Sequence, residues 1–326
     1  MGRWLVLGGT AWLGREVART ALEHGHDVTC LARGGSGPVP DGARLVRADR
    51  GVPGAYAELR GDWDAVVDVA RQPGHVRDAL SALDARVARW TFVSTANVYA
   101  DLSRPLRDDS PLRAAAEDDV VDAARYGEGK VACEEAVLRH PAPLVLRLGL
   151  VAGPGDPSDR FGYWPARLVS AADGDVLVPD QPGARCQVLD VRDAASFAVA
   201  ATERGMTGVM NVAGDSLPLG EALLRVASAV AHGGRLVPVA PDRLAELDLR
   251  PWSGERSLPL WLPEGYGGMA RMDTARARDA GLSLRPFEDT VRDVLADERR
   301  RGLDRPRAAG LTRGDELAAL AAVRPT

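Results

Sequence analysis

The sequence predicts an α/β fold: a doubly wound parallel sheet with a smaller, mostly helical second lobe. Three observations carry this. Short apolar runs alternate with helical stretches through the first half of the chain, the pattern of strands covered on both faces by crossover helices. A glycine turn, Gly8-Gly9-Thr10-Ala11-Trp12-Leu13-Gly14, falls between the first such run and the first helical stretch. After Gly149 the alternation gives way to Gly/Pro-rich loops and helical segments.

The expected strands are Arg3–Leu7, Asp27–Leu31, Arg44–Arg47, Ala65–Asp68, Arg89–Ser94 and Leu144–Leu148. Helices are expected at Leu13–His24, Val76–Leu83 and Tyr126–Leu138. Residues 1–150 then form a nucleotide-binding domain, and residues 184–213 return to it through strands Gln187–Asp190 and Val209–Asn211. Residues 151–183 and 214–304 form the second lobe, with helices Leu217–Ala231, Asp242–Leu247, Thr274–Ala280 and Phe287–Arg301. Residues 305–326 are expected to be a mobile tail with one short helix, Glu316–Val323. The charged, irregular stretch Leu102–Asp122 has the length of a lid.

Strand, glycine turn and helix make a Rossmann-like context, in which backbone N–H groups at a helix start receive a pyrophosphate. Gly8, Thr10, Ala11, Trp12, Leu13 and Gly14 are the candidate contacts. The second strand ends Cys30-Leu31-Ala32-Arg33-Gly34-Gly35. An NAD-preferring site carries Asp or Glu here for the ribose 2′-hydroxyl, and none is present. Arg33 suits a 2′-phosphate instead, which argues for NADP(H), with NAD(H) as the alternative.

The chain has 41 Lys+Arg, and only one of them, Lys130, is lysine. Arginine therefore fills every positive site that tolerates it. Lys130 lies four residues after Tyr126, at the start of a helical stretch, so the two share one helix face. A nearby ammonium favours a phenolate. Lowering a tyrosine from its usual ~10 to about 7 takes roughly 4 kcal/mol, plausible in a dry cleft beside a cationic cofactor. The product is a tyrosine that exchanges a proton with a substrate oxygen. Gly127 and Gly129 cost up to ~1 kcal/mol each in a helix, which makes sense if something packs closely on that turn.

These residues resemble the extended and atypical short-chain dehydrogenases/reductases, the NAD-dependent epimerase/dehydratase family. The resemblance rests on the glycine turn, on Phe92-Val93-Ser94-Thr95-Ala96-Asn97-Val98-Tyr99, on Tyr126-x-x-x-Lys130 and on Val188-Leu189-Asp190-Val191-Arg192-Asp193. It covers residues 1 to about 300. It implies that Thr95 takes the place of the catalytic Ser/Thr, that Tyr126 is the acid/base and that Lys130 holds the nicotinamide ribose. It further implies cofactor contacts at Asp49 (against adenine), Arg50, Ala70, Arg71 and Leu150. Two departures stand out. Ala11 replaces the middle glycine of the turn. Thr95-Ala96-Asn97 lacks the Asp-Glu pair of dehydratases, which makes dehydration the least favoured of the family's reactions.

The chain leaves the nucleotide-binding domain at Gly149, just past the carboxyl end of a strand, where open α/β sheets bind ligands. The residues that follow are therefore expected to overhang the reacting centre. Arg160 is a candidate for holding an anionic or carbonyl group. Asn97, Tyr163, Trp164, Trp252 and Trp261 are candidate substrate contacts or aromatic walls.

Composition narrows the class. Of the 326 residues, 45% are apolar, enough for a sizeable core, and the net charge of −5 offers no basic surface to nucleic acid. No apolar run reaches the ~18 residues of a membrane span. The first strand begins at Arg3, which leaves no room for a signal peptide. Cys30, Cys133 and Cys186 show no CxxC spacing and are expected to be reduced, in a cytoplasmic protein. The five His are scattered and no metal site is expected. The expected function is an NADP(H)-dependent oxidoreductase of a small-molecule carbonyl or alcohol, monomeric or homodimeric. The alternatives are an NAD(P)-dependent epimerase of a sugar nucleotide or related carbinol, and a non-catalytic nucleotide-binding regulator.

Overall fold

In the computed structural model, which describes residues 1–323, the first apolar run forms β1 (Arg3–Leu7) in the middle of a seven-stranded sheet. The chain continues through α1 (Trp12–Glu23), β2 (Asp27–Ala32), β3 (Arg44–Arg47), β4 (Ala65–Asp68), α2 (Pro73–Leu83), β5 (Trp90–Thr95), α3 (Tyr126–Val137) and β6 (Pro143–Leu148). The second half adds β7 (Leu150–Ala152), α4 (Arg160–Ala171), β8 (Val176–Pro179), β9 (Arg185–Asp190), α5 (Val191–Glu203) and β10 (Gly208–Val212). Then come β11 (Ser216–Pro218), α6 (Leu219–Ala229), β12 (Leu236–Val239), α7 (Pro241–Glu246), α8 (Ala275–Asp279), α9 (Phe287–Arg301) and α10 (Arg313–Val323).

The main sheet runs β3-β2-β1-β4-β5-β6-β10, and every pairing is parallel. Strand order reverses between β1 and β4, which opens a crevice at the carboxyl ends of the strands. Side chains alternate across the sheet. Trp4 and Val6 enter the core beneath α1 and α5; Leu5 and Leu7 enter the opposite core beneath α2 and α3. Both faces are dry, which is why these strands are apolar runs rather than alternating ones. This is a Rossmann-like architecture. A separate core, built from α4, α6, α9 and the β8-β12 pair, fills the second lobe. Among the described residues, no helix is long and apolar enough to cross a membrane. All three cysteines are free and buried.

Three expectations need correction. The strand at 185–190 does not rejoin the main sheet, although β10 does. It pairs with β7 on one side and β11 on the other. The outer edge of β6 is already taken by β10, so the next strand needs another partner. The segment 102–122 is tied down rather than free to act as a lid. Asp119 O accepts from Gly74 N at 2.9 Å, Gln72 Oε1 accepts from Val121 N at 2.7 Å, and Asp108 Oδ1 accepts from Asn211 N at 2.7 Å.

Residues 305–323, expected as a mobile tail, are packed against the second lobe. Ala309–Gly310 pairs in parallel with Gly254–Glu255. Arg305 and the Ala308 N–H both bind the Asp159 carboxylate. Glu316, fully buried on α10, forms an ion pair with the buried Arg167 of α4 and accepts from Leu177 N at 3.2 Å. A charged surface sequence thus contributes one carboxylate that a buried guanidinium requires. Glu316→Ala should therefore lower the unfolding free energy by about 3–5 kcal/mol, since it strands the Arg167 charge in the core. Urea unfolding followed by circular dichroism checks this, and an unchanged midpoint would show that the tail does not stabilise the lobe.

Candidate active site

The glycine turn shapes the floor of the crevice. Gly8 holds a left-handed φ of +99°, and a Cβ on Gly14 would run into the Gly8 carbonyl. The turn closes only without those side chains. Ala11 is extended (φ −72°, ψ 154°), so the departure from the family pattern requires no left-handed backbone. No side chain caps α1, which leaves its first N–H groups directed at a cleft of about 540 Å³ lined by Ala11, Trp12, Leu13 and Gly14. Thr10 is buried beneath them. This uncapped helix start fits a pyrophosphate, and these residues would hold it.

At the far end of the turn, Arg33 is exposed and its Nη1 lies 3.9 Å from Asp49 Oδ2. Arg47, which sequence reasoning passed over, lies against Gly34 and adds a second guanidinium there. Its signal was present: it ends β3, next to β2 in the sheet. Arg50 is a correction. It is buried, donating to Asp68 at 2.7 and 2.9 Å, to Tyr56 Oη at 2.9 Å and to the His75 carbonyl at 2.7 Å. Its charge is spent inside the fold, so it supports the loop after β3 rather than offering a contact to a nucleotide.

The reacting edge is built by α3 against the end of β5. A Cβ on Gly127 would strike the Asn97 carbonyl, so glycine is what lets the first turn of α3 close on the turn after β5. Gly129 meets Val121 in the same way. That approach brings the Tyr126 phenol beside the Thr95 hydroxyl in one cleft. Thr95 Oγ1 accepts from Asn97 N at 3.3 Å and from Asn97 Nδ2 at 3.2 Å. With its acceptor capacity used by Asn97, the Thr95 hydroxyl keeps its own proton for an acceptor in the cleft.

Lys130 is buried, and its Nζ donates to Ala70 O at 2.8 Å and Val93 O at 2.5 Å, with the Phe92 ring 3.9 Å away. Burial lowers its pKa to about 8. The expected lowering of Tyr126 by Lys130 is not what the electrostatics give. Burial raises the phenol above its ordinary value and outweighs the opposing Arg71, the Thr95 hydrogen bond and Arg160. The cations nearest in effect are the two arginines, because the lysine's ammonium is directed at backbone carbonyls.

Thr95, Asn97, Tyr126, Lys130, Arg71, Leu150, Arg160 and Trp252 all line the cleft that begins at the glycine turn. Ala70 lies just behind, accepting from Lys130. Tyr163, Trp164 and Trp261 do not reach it. Tyr163 and Trp164 sit in the second-lobe core, with Trp164 Nε1 donating to Pro259 O at 2.8 Å. Trp261 is buried in the same core and bonds to Gln181. The helix α4 turns these rings inward because its apolar face must bury against α9 and α6. Sequence reasoning missed Asp156, Ser158 and Met269, which also line the cleft. Asp156 accepts from Ser158 N and Oγ, both at 2.8 Å, a local turn that Asp-x-Ser could have signalled. Met269 carried no signal.

Residues 4–84 match the sequence profile of the NAD dependent epimerase/dehydratase family. Two solved structures share the fold. The Bordetella bronchiseptica enzyme WbmG in complex with NAD and UDP has a TM-score of 0.68 at 20% identity, covering 93% of this chain and 95% of its own. WbmH from the same organism, in complex with NAD+, has a TM-score of 0.67 at 20% identity, covering 93% and 99%. A Streptomyces sp. protein described as a 3-diazoavenalumate denitrifying reductase is 31% identical over 325 residues, covering 91% of this chain and all of the relative. That identity over a relative's whole length makes this chain a member of the NAD-dependent epimerase/dehydratase family, an NAD(P)-dependent enzyme of short-chain dehydrogenase/reductase type.

Proposed function

We propose that the chain is an NADP(H)-dependent reductase of a small-molecule carbonyl, with Tyr126 as the proton donor. One observation carries this reading. In the cleft that the glycine turn opens, a phenol held protonated by burial stands beside a Thr95 hydroxyl whose proton is free, so both can donate to one substrate oxygen. Reduction needs a proton delivered to that oxygen. The nicotinamide cofactor, when bound, supplies the hydride. Tyr126 then gives its Oη proton to the developing alkoxide, Thr95 positions the oxygen, and Asn97 fixes the Thr95 hydroxyl. Lys130 positions the phenol by tying α3 to the Ala70 and Val93 carbonyls, and the Arg71 and Arg160 guanidiniums stabilise the phenolate once it has lost its proton. The Streptomyces relative is itself named a reductase, which supports the direction. Arg33 and Arg47, with no acid at the end of β2, support a 2′-phosphate on the cofactor.

Tyr126→Phe should cut the rate of NADPH oxidation with an aldehyde substrate by about 10²–10⁴-fold and leave cofactor binding nearly intact. A variant that kept most of its rate would refute the acid assignment. Catalytic consumption of added NADPH also separates this reading from an epimerase, which returns the hydride to its own substrate.

The cofactor preference has its own test. Wild type should bind NADPH more tightly than NADH, and Arg33→Ala should narrow the gap by about 1.5–3 kcal/mol, the worth of a charge-assisted hydrogen bond. Fluorescence titration with both cofactors measures it; superimposable wild-type curves would rule out the phosphate contact.

Lys130 gives a pH signature. Its folded pKa of about 8 lies below the ordinary 10.5, so between these values the unfolded chain holds a proton that the folded chain lacks. Wild-type stability relative to Lys130→Met should therefore rise with pH across about 8 to 10.5 and be flat below 8. Paired thermal melts over that window check the sign, and a falling difference would mean the lysine is not buried as an ammonium.

A further inference from the structure

Arg71 and Arg160 line the substrate end of the cleft, and among the described residues neither has an ion-pair partner or a protein hydrogen-bond acceptor. Two other arginines of the second lobe with little exposure are paired: Arg167 with Glu316, and Arg305 with Asp159 and Glu298. The Arg160 Nε is buried with no acceptor at all. A half-buried guanidinium without an anion is costly to hold, so a fold that keeps one at a cleft mouth leaves room for an anion from outside.

Arg160 is also held in place with some strain. Its guanidinium lies 4.4 Å from the centre of the Trp252 ring, and Trp252 takes a left-handed φ of +76°, rare for a bulky residue. The preceding Asp159 has a φ of +58° and is locked by Arg305 and the Ala308 N–H. Asp156 acts on Arg160 through its charge but forms no ion pair with it, and each of its oxygens accepts from Ser158. On the opposite segment, after β4, Arg71 lies 5.1 Å from the centre of the Tyr126 ring.

We infer that the substrate is a small carboxylate that also bears a carbonyl, its carboxylate held by Arg160 with help from the exposed Arg71 and its carbonyl presented to Tyr126 and Thr95. A guanidinium fork matches a carboxylate, and the Trp252 ring on which the guanidinium lies fixes the direction of that fork. The inference rests on the reductase reading for the place of the reacting carbonyl, but not for the anion.

Isothermal titration of the NADP+-loaded protein with 4-formylbenzoate and methyl 4-formylbenzoate, the same aldehyde with and without the charge, tests it without turnover. The carboxylate should bind about tenfold or more tightly than the ester. Arg160→Gln should erase the preference, Arg71→Gln should narrow it, and Arg160→Lys should keep part of it. Tyr126→Phe should keep the preference whole, so a failed acid assignment and a failed anion site give different results. Equal affinity for the two compounds, binding of neither, a preference that survives Arg160→Gln, or tighter binding of uridine diphosphate than of 4-formylbenzoate would each overturn the inference.

Discussion

The ammonium of Lys130 sits in the interior with its donors spent on two backbone carbonyls, Ala70 just past β4 and Val93 in β5. Those strands are neighbours in the sheet, so one side chain from α3 ties the helix to both. Tyr126, one turn earlier, is thereby fixed over the end of β5, where Thr95 meets it. In a chain that otherwise uses arginine alone, the exception falls where a guanidinium would not fit. Two carbonyls and the Phe92 ring accept a compact ammonium, whereas a planar fork presents five donors. Burial penalises that ammonium and brings its pKa down to about 8. The fold carries that cost for placement of the phenol.

Around this point the design is one of close backbone approach. Gly14 over the Gly8 carbonyl and Gly127 over the Asn97 carbonyl are two places beside the cleft where main chain meets main chain. The first leaves a helix start uncapped; the second brings Tyr126 to Thr95. Both contacts lie at the carboxyl ends of parallel strands, on either side of the reversal in strand order.

The nucleotide-binding half was legible because its signals are local. Arg3–Leu7, Arg44–Arg47 and Ala65–Asp68 coincide with the observed strands, since short apolar runs between turns have few other uses. Tyr126, Lys130 and the glycine turn were found by spacing and Thr95 through the family resemblance, and the structure brings them to one cleft. What was not legible depends on partners distant in sequence. The helix Val191–Glu203, alanine-rich and without a strong boundary except the Asp190 cap, was passed over. Nothing in Arg185–Asp190 says which strand it will pair with. Tyr163 and Trp164 look alike in a pocket wall or a core, and only the packing of α4 on α9 decides. Arg50 looked free beside Asp49 because its partner, Asp68, comes from the next strand.

The packed C-terminal segment bears on how the protein matures as it is made. Asp159 starts α4 and sets the stem of Arg160, yet its carboxylate is satisfied by Arg305, 146 positions further along the chain. The strands, the glycine turn and the Thr95–Tyr126 edge all precede residue 213, so the nucleotide half has its parts while the rest is still being translated. The wall behind Arg160 does not. In a nascent chain the Asp159 carboxylate at the start of α4 therefore lacks these partners until residues 305–308 have emerged and docked.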